Sequence, residues 1–456
     1  MLYRNANLVV CSLAALGALC QTAAGATLCV NAKPTPTCTY STIGAAVAAA
    51  SAGDVIQVSH GTYREEVTIG KPISLLGENS KNTIIDATGL PNGIFVDGLD
   101  NAGLQSVTIS GFTVQNAEYE GVLVVNATDV TVSGNNILNN DKSPSVFTGA
   151  TNGCPGQPAF ETDETGDCGG GLHLMGVADS IVSGNHITGN ADGILISDDT
   201  GESHGNLIIG NNVTDNPLEC GIVLASHPPM GHTSPPFAPH YGVDHNTVSG
   251  NVSTNNGVKV GGSGVGLFSD SNGPGRTSEN VIIGNTLTGN GLGGVALHTH
   301  VGPAFGLPAD DMNGNMIIGN VISKNLADLD DTKTPGRVGI NINSGGGGSP
   351  VVGTVITQNQ ISDEDVDIAI NTPAVVDIHL NDLRDGSYGV ANVCAYDGAS
   401  ICTGSVNAAE NYWGCPQGPG AHGCSATYGT GIVFTPWLQQ GKQPGPPGPP
   451  AIVGGP

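Results

Sequence analysis

The 456 residues suffice for one large domain or two to three ordinary ones; 70 are glycine and only 11% are charged. Apolar triplets such as LII, VII and MII recur along the chain, which excludes a disordered polymer. With residues 1–26 set aside, 12 basic side chains face 39 acidic ones, and the resulting −27 argues against nucleic acid or an anionic membrane as partner.

Residues 1–26 read as a secretion signal. Arg4 supplies the positive start, residues 8–19 the apolar stretch, and Ala24, Gly25 and Ala26 the small-residue cleavage site. The apolar stretch is too short to span a bilayer, and no later segment reaches spanning length. A secreted or periplasmic protein is therefore expected. Nine cysteines remain, and eight form close pairs: Cys29/Cys38, Cys154/Cys168, Cys394/Cys402 and Cys415/Cys424. Local disulfides are expected for each, with Cys220 left as an unpaired thiol.

From residue 121 a repeat dominates. Asparagines five apart recur at Asn135/Asn140, Asn185/Asn190, Asn211/Asn216, Asn251/Asn256, Asn285/Asn290 and Asn320/Asn325, with a degenerate copy from Asn359. Each pair is followed by, or follows, a glycine and an alternating apolar run, starting at Gly121, Gly171, Gly193, Gly221, Gly264, Gly294 and Gly339. The shortest spacing, Gly171 to Gly193, is 22 residues. That is the period of a solenoid with one turn per repeat, and no 3.6-residue periodicity supports a helical alternative. The expected fold is all-β: a single-stranded right-handed parallel β-helix with a short capping helix, spanning 27–438. Asparagines at the turns can stack in hydrogen-bonded ladders.

At this point the chain resembles the pectate-lyase-like right-handed parallel β-helix superfamily, over roughly residues 40–438. Residues 41–89, from STIGAAVAAASAGDVIQV to DATG, resemble the superfamily's opening coil, where a helix over 43–50 covers the end of the core. ENYWGCPQGPG (410–420), with FTPWL after it, resembles the closing coil of secreted members. The resemblance implies a fold and not an activity, because such proteins include lyases, epimerases, hydrolases and non-catalytic proteins. Residues 439–456 form a Pro/Gly-rich tail expected to be disordered.

Stacking the glycine-anchored strands, with glycine as zero, places aliphatic residues at positions one and three, facing the core. Positions two, four and six then face solvent. Position six reads Ala127, Val177, Asp199, His227, Asp270, His300, Gly345, so four successive rungs carry Asp, His, Asp, His. Position four adds Ser197, Phe268 and His298, and position two adds His173. From position six to the next asparagine takes eight residues after Ala127 and Val177, but 12, 24, 15 and 20 after the four charged rungs. Such insertions wall a groove. The longest, 228–250, carries His232, His240, Tyr241, Asp244 and His245.

A groove of this kind suits an extended polysaccharide, with a monomeric chain expected. In a uronan lyase, His227, His300 or the neighbouring His298 would remove a proton, while Ca²⁺ on Asp199 and Asp270, or Arg276, neutralises the carboxylate. Epimerisation adds a second donor such as Tyr241, and Phe268, Arg276, His173 and Tyr241 are the candidate substrate contacts. Asp199 and Asp270, two rungs or roughly 9.6 Å apart, would suit an inverting hydrolase. A non-catalytic glycan-binding protein is the remaining alternative. The acidic runs at 328–331 and 363–365 read as solvated charge.

Overall fold

The computed structural model describes residues 25–141, 158, 160, 170–227, 240–269, 274–299, 303, 306–327, 334–342, 349–371, 374–393 and 405–441. Short parallel strands stack into three sheets of 14, 12 and 11 strands. Each coil contributes one strand to each sheet. From Val122–Val125 the chain passes through Thr131–Ser133 and Asn136–Leu138, then returns at Gly170–Met175 beside its starting strand. The solenoid expected from the 22-residue period is present.

The anchoring glycines are in register, and the side chains one and three positions later fill one continuous core. Val122 and Val124 stack on Leu172 and Leu174, then Ile194 and Ile196, then Ile222 and Leu224. The N-terminal end of that core is covered by the helix Ile43–Ala49, whose Ile43, Ala46 and Val47 are buried. Thr42 caps it through a hydrogen bond from the Ala45 N–H, and the Glu65 carboxylate accepts from the N–H groups of Ile43 and Gly44 at 2.8 Å each. A carboxylate there satisfies two orphan donors and meets the positive end of the helix. In the closing coil Trp413 is fully buried, Phe434 lies edge-on to it at 6.4 Å, and Trp437 packs against the same core.

Asparagine ladders run along the turns. In the first, each backbone N–H donates to the side-chain oxygen of the next coil's asparagine, from Asn135 through Asn185, Asn211, Asn251, Asn285, Asn320, Asn359 and Asn381 to Asn411. The second links Asn140, Asn190, Asn216, Asn256, Asn290 and Asn325, and ends on Glu364. Both members of each five-residue pair therefore build a ladder. A third, from Ser180 through Asn206, Asn246 and Asn280 to Asn315, was not foreseen.

Disulfides join Cys29 to Cys38 and Cys415 to Cys424, as expected from their spacing. Cys154, Cys168, Cys394 and Cys402 lie outside the described residues. Cys220 is free, and its sulfur sits 3.3 Å from Ser263 Oγ. Among the described residues no helix is long and apolar enough to cross a membrane.

The structure corrects the expectation that the outer face of the glycine-anchored sheet is solvated. Leu123, Val125 and Met175 form a second apolar layer with Phe95, Leu99 and Phe160. Leu195, Val223 and Ala225 form another with Cys220 and Phe268. Phe160, from the insertion between Asp141 and Gly170, stacks on Phe95 at 6.5 Å. A strand covered on both faces loses the apolar/polar alternation. Nor do Ala127 and Val177 continue the outer column. Asn126 and Gly176 adopt left-handed φ of 47° and 62°, which turns the following residue into the core.

The ladders yield a stability prediction. Asn251→Ala removes the acceptor for Asn211 N and Nδ2, and the side-chain donor to Asn285 Oδ1 and the Ile208 carbonyl. Denaturant unfolding should show a loss of about 1–3 kcal/mol. Thr286→Ala, at an exposed position of the next coil, should stay within about 0.5 kcal/mol.

Candidate functional site

A string of polar side chains crosses the buried outer face of the glycine-anchored sheet. Glu120, fully buried, accepts from Gly170 N through both oxygens at 3.1 Å, and its Oε1 lies 3.2 Å from His173 Nδ1. His173 Nε2 lies 2.8 Å from Ser197 Oγ, and Ser197 is 2.6 Å from Asp199 Oδ2. The same oxygen is 3.3 Å from His227 Nδ1. Phe268 follows, edge-on to His227 at 6.4 Å, and stacks on His298 at 5.8 Å. Six successive coils are thus joined, because the strand register places 123, 173, 195, 223, 266 and 296 side by side.

Proton bookkeeping constrains this string. If neutral His173 donates from Nδ1 to Glu120, its Nε2 must accept. The single hydroxyl proton of Ser197 then serves either His173 or Asp199. Asp199 in turn orients the His227 ring by holding Nδ1, the arrangement in which a carboxylate selects a tautomer and strengthens an imidazole base.

Beneath the string Asp198 acts as a hub. Its Oδ1 accepts from His227 N at 2.7 Å, and its Oδ2 from Gly242 N at 2.6 Å and from Ser226 Oγ at 3.1 Å. Ser226 also receives the Arg276 backbone N–H at 3.0 Å and lies 2.8 Å from His240 Nδ1. Asp198 therefore ties the strand end at His227 to the returning end of the long insertion. Burial, relieved in part by the Gly242 N–H and reinforced by the neighbouring Asp199 charge, pushes its carboxyl up to about 7. Burial and the nearby His227 push His240 down to about 4.

The expected residues divide into three groups. Asp199 and His227 do meet on adjacent coils, with His298 and Phe268 alongside, and His173 joins from position two. Three of them are not solvent-facing, however: His173 and Asp199 are fully buried and His227 is 1% exposed. His227→Ala would leave the buried Asp199 carboxylate without its imidazole, so this substitution is expected to destabilise the fold. Phe268 and His298 are half-buried and reach the surface. Asp270 and His300 lie outside the described residues.

Arg276 and Tyr241 stand apart from the string. The Arg276 guanidinium is held by Glu202, by Asp244 at 2.7 Å and by the Tyr241 carbonyl at 2.8 Å, so its charge is already balanced. Tyr241 is exposed. Asp199 is committed to Ser197 and His227, and among the described residues no group of three or more His, Cys, Asp or Glu side chains is placed to hold a metal ion. Glu120, Asp198 and Ser226 escaped the sequence reading, and His240 stood in it only as a member of the long insertion. SDDT at 197–200 was the available signal: two adjacent carboxylates at a strand end cannot both face the same way.

The family described as "Right handed beta helix region" matches residues 75–234. The register of its three parallel sheets and this match agree. The chain is a right-handed parallel β-helix of the pectate-lyase-like fold. The β-helix resembles the A-module of mannuronan C-5 epimerase AlgE4 from Azotobacter vinelandii at 16% identity and a TM-score of 0.51, covering 78% of this chain and 93% of that one. The AlgE6 A-module from the same organism gives 14% identity and 0.51, over 86% and 93%. The Dettilon tailspike protein gives 13% and 0.53, over 83% of this chain and 62% of its own. At these identities the likeness is one of fold. Among curated proteins none matches the β-helix.

The two shifted groups around Ser226 predict a pH signature. Asp198 binds a proton on folding, so its contribution to stability rises as pH falls from about 7 toward 4. His240 gives up a proton on folding, so its contribution falls over nearly the same window, from its ordinary 6.5 down to about 4. The two oppose each other. Asp198→Asn should therefore lose stability faster than the wild type between pH 7 and 4, and His240→Asn more slowly. Denaturant midpoints at unit pH steps would check both slopes.

Proposed function

We propose that the β-helix acts on an extracellular acidic polysaccharide, which it meets at Phe268 and His298. The carrying observation is the continuous contact Asp199–His227–Phe268–His298 across four neighbouring coils, buried at one end and reaching the surface at the other. Phe268 offers a partly exposed ring for packing on a sugar face. His298 stacks on it and supplies an imidazole, a side chain able to act as acid or base. Asp199 and His227 stand behind Phe268 and hold it in place. Asp270 and His300 are proposed as the continuation of the line, by register.

A uronan is the first substrate class to test, in a lyase or epimerase-like reaction. Proton removal beside a carboxylate needs a base, which an imidazole can supply, and two structures sharing the fold are mannuronan C-5 epimerase modules. Ca²⁺ at Asp270 is the proposed means of neutralising the substrate carboxylate, since Asp199 is fully buried and held by Ser197 and His227. Hydrolysis through paired Asp199 and Asp270 is a separate outcome of the same assay. Binding without turnover is favoured by one observation: the Arg276 guanidinium is already paired with Glu202 and Asp244.

The secreted protein, incubated with a panel of uronans and neutral glycans, would separate these readings. Unsaturated product marks a lyase, solvent deuterium uptake without cleavage an epimerase, reducing ends a hydrolase, and retention on a glycan surface alone a binding protein. His298→Ala should lower turnover by about 10²–10⁴-fold if His298 transfers the proton, while its unfolding midpoint changes little. Phe268→Ala should weaken substrate affinity more than turnover. Full activity and affinity in both variants would remove this face from consideration.

A further inference from the structure

The second asparagine ladder ends in an unusual way. Along it every link has a donor on one side and an acceptor on the other: Asn290 N and Nδ2 donate to Asn325 Oδ1, and Asn325 N and Nδ2 donate to Glu364 Oε1. Glu364 has no side-chain N–H to pass on. Its Oε2 is buried without a hydrogen-bond partner.

The next coil also breaks the pattern. Strand register aligns Gly121, Gly171, Gly193, Gly221, Gly264, Gly294 and Gly339, and then Asp367. Glycine is needed in this column because a Cβ would strike the ladder amide, at 2.6 Å from Asn140 Nδ2 for Gly121 and 2.6 Å from Asn190 Nδ2 for Gly171. At the coil of Asp367 the exchange is reversed. Five residues after the ladder residue Asn381 stands Gly386, without a side chain, and Asp367 Oδ1 lies 3.2 Å from where its Cβ would be. The Asp367 carboxyl thus takes the place of the missing asparagine. Both its oxygens are buried and unpartnered.

So acceptor follows acceptor in a site that water does not reach, with Glu364 1% exposed and Asp367 fully buried. Two ionised carboxylates there would be strongly unfavourable. The nearby cations offset them only in part: Arg337, which attracts Glu364, is itself paired with Asp365 at 3.2 Å, and Arg384 is paired with Asp382 at 2.8 Å. The other charges facing the pair, Asp382 and Asp385 toward Asp367 and Asp365 toward Glu364, add to the repulsion.

We propose that a bound proton closes the second ladder between Glu364 and Asp367, so that the C-terminal coils carry a link that weakens as pH rises. Burial, only partly offset by the Asn325 donors, pushes the Glu364 carboxyl up to about 7, and burial with the Glu364 charge pushes Asp367 well up. Both groups bind protons more tightly folded than unfolded. Their contribution to stability is therefore complete in acid, declines as pH rises, and is lost as pH passes through the folded-state values.

The test uses the full chain and two amide variants, each of which supplies the missing N–H. Glu364→Gln donates toward Asp367, and Asp367→Asn donates toward Glu364. Hydrogen-exchange protection over residues 359–391, corrected for intrinsic rates, is followed from pH 5 to 9. Relative to either variant, wild-type protection should fall by up to about tenfold per pH unit for each proton lost, from about pH 5 upward, the Glu364 share levelling off near its folded value of about 7. At pH 5 all three should agree within about twofold. If one variant does not fold, the other gives the same comparison. Parallel pH profiles for wild type and variants would overturn the proposal. So would recovery of wild-type protection at pH 9 on adding millimolar CaCl₂, since a divalent ion and not a proton would then join the carboxylates.

Discussion

The molecule depends on one constraint: a parallel coil cannot turn without leaving backbone N–H and C=O groups inside, and each needs a partner. Asparagine meets it with one residue per turn, since its amide donates to a carbonyl of the preceding coil while its oxygen accepts from that coil's asparagine. Asn211 shows the whole pattern, receiving from Asn185, passing to Asn251 and donating to the Val182 carbonyl. Because every link reaches only the neighbouring coil, the length of chain between coils can vary without disturbing the stack.

The same constraint explains the glycine column. The strand that follows the second ladder must pass so close to an asparagine amide that no Cβ fits. Glycine and asparagine are thus two halves of one packing solution. Where the solution is inverted, at Asp367 and Gly386, the ladder loses its donor and the local charge balance changes.

The candidate site shows what happens when the polar stack leaves the turns and crosses the outer face of a sheet. From Glu120 to His227 the side chains are buried and each has a polar neighbour within about one hydrogen bond. Such a network is rigid, and it holds the two partly exposed rings, Phe268 and His298, at a set place. Asp198 fixes the backbone beneath it and anchors the returning insertion through Ser226 and Gly242.

Periodicity alone determined the coil, the core columns and the two asparagine ladders, because a solenoid repeats its local solution in the sequence and each repeat contacts only the next. Register did the same for the neighbourhood of Asp199, His227, Phe268 and His298: counting from a glycine that cannot be replaced keeps the strands aligned. Exposure was not legible. Position parity says which side of a strand a residue occupies, but not whether another segment lies over that side, and Phe160 over Phe95 is a contact between distant parts of the chain. Parity also failed at Asn126 and Gly176, where left-handed turns send the next residue inward. Glu120 and Asp198 became visible only in the folded chain, since their partners lie 53 and 29 residues away, and so did the partner of His240, 14 residues away. The Glu364–Asp367 link belongs to the same class: the acids can be counted in the sequence, but only the stacked coils put one in the place of a missing amide.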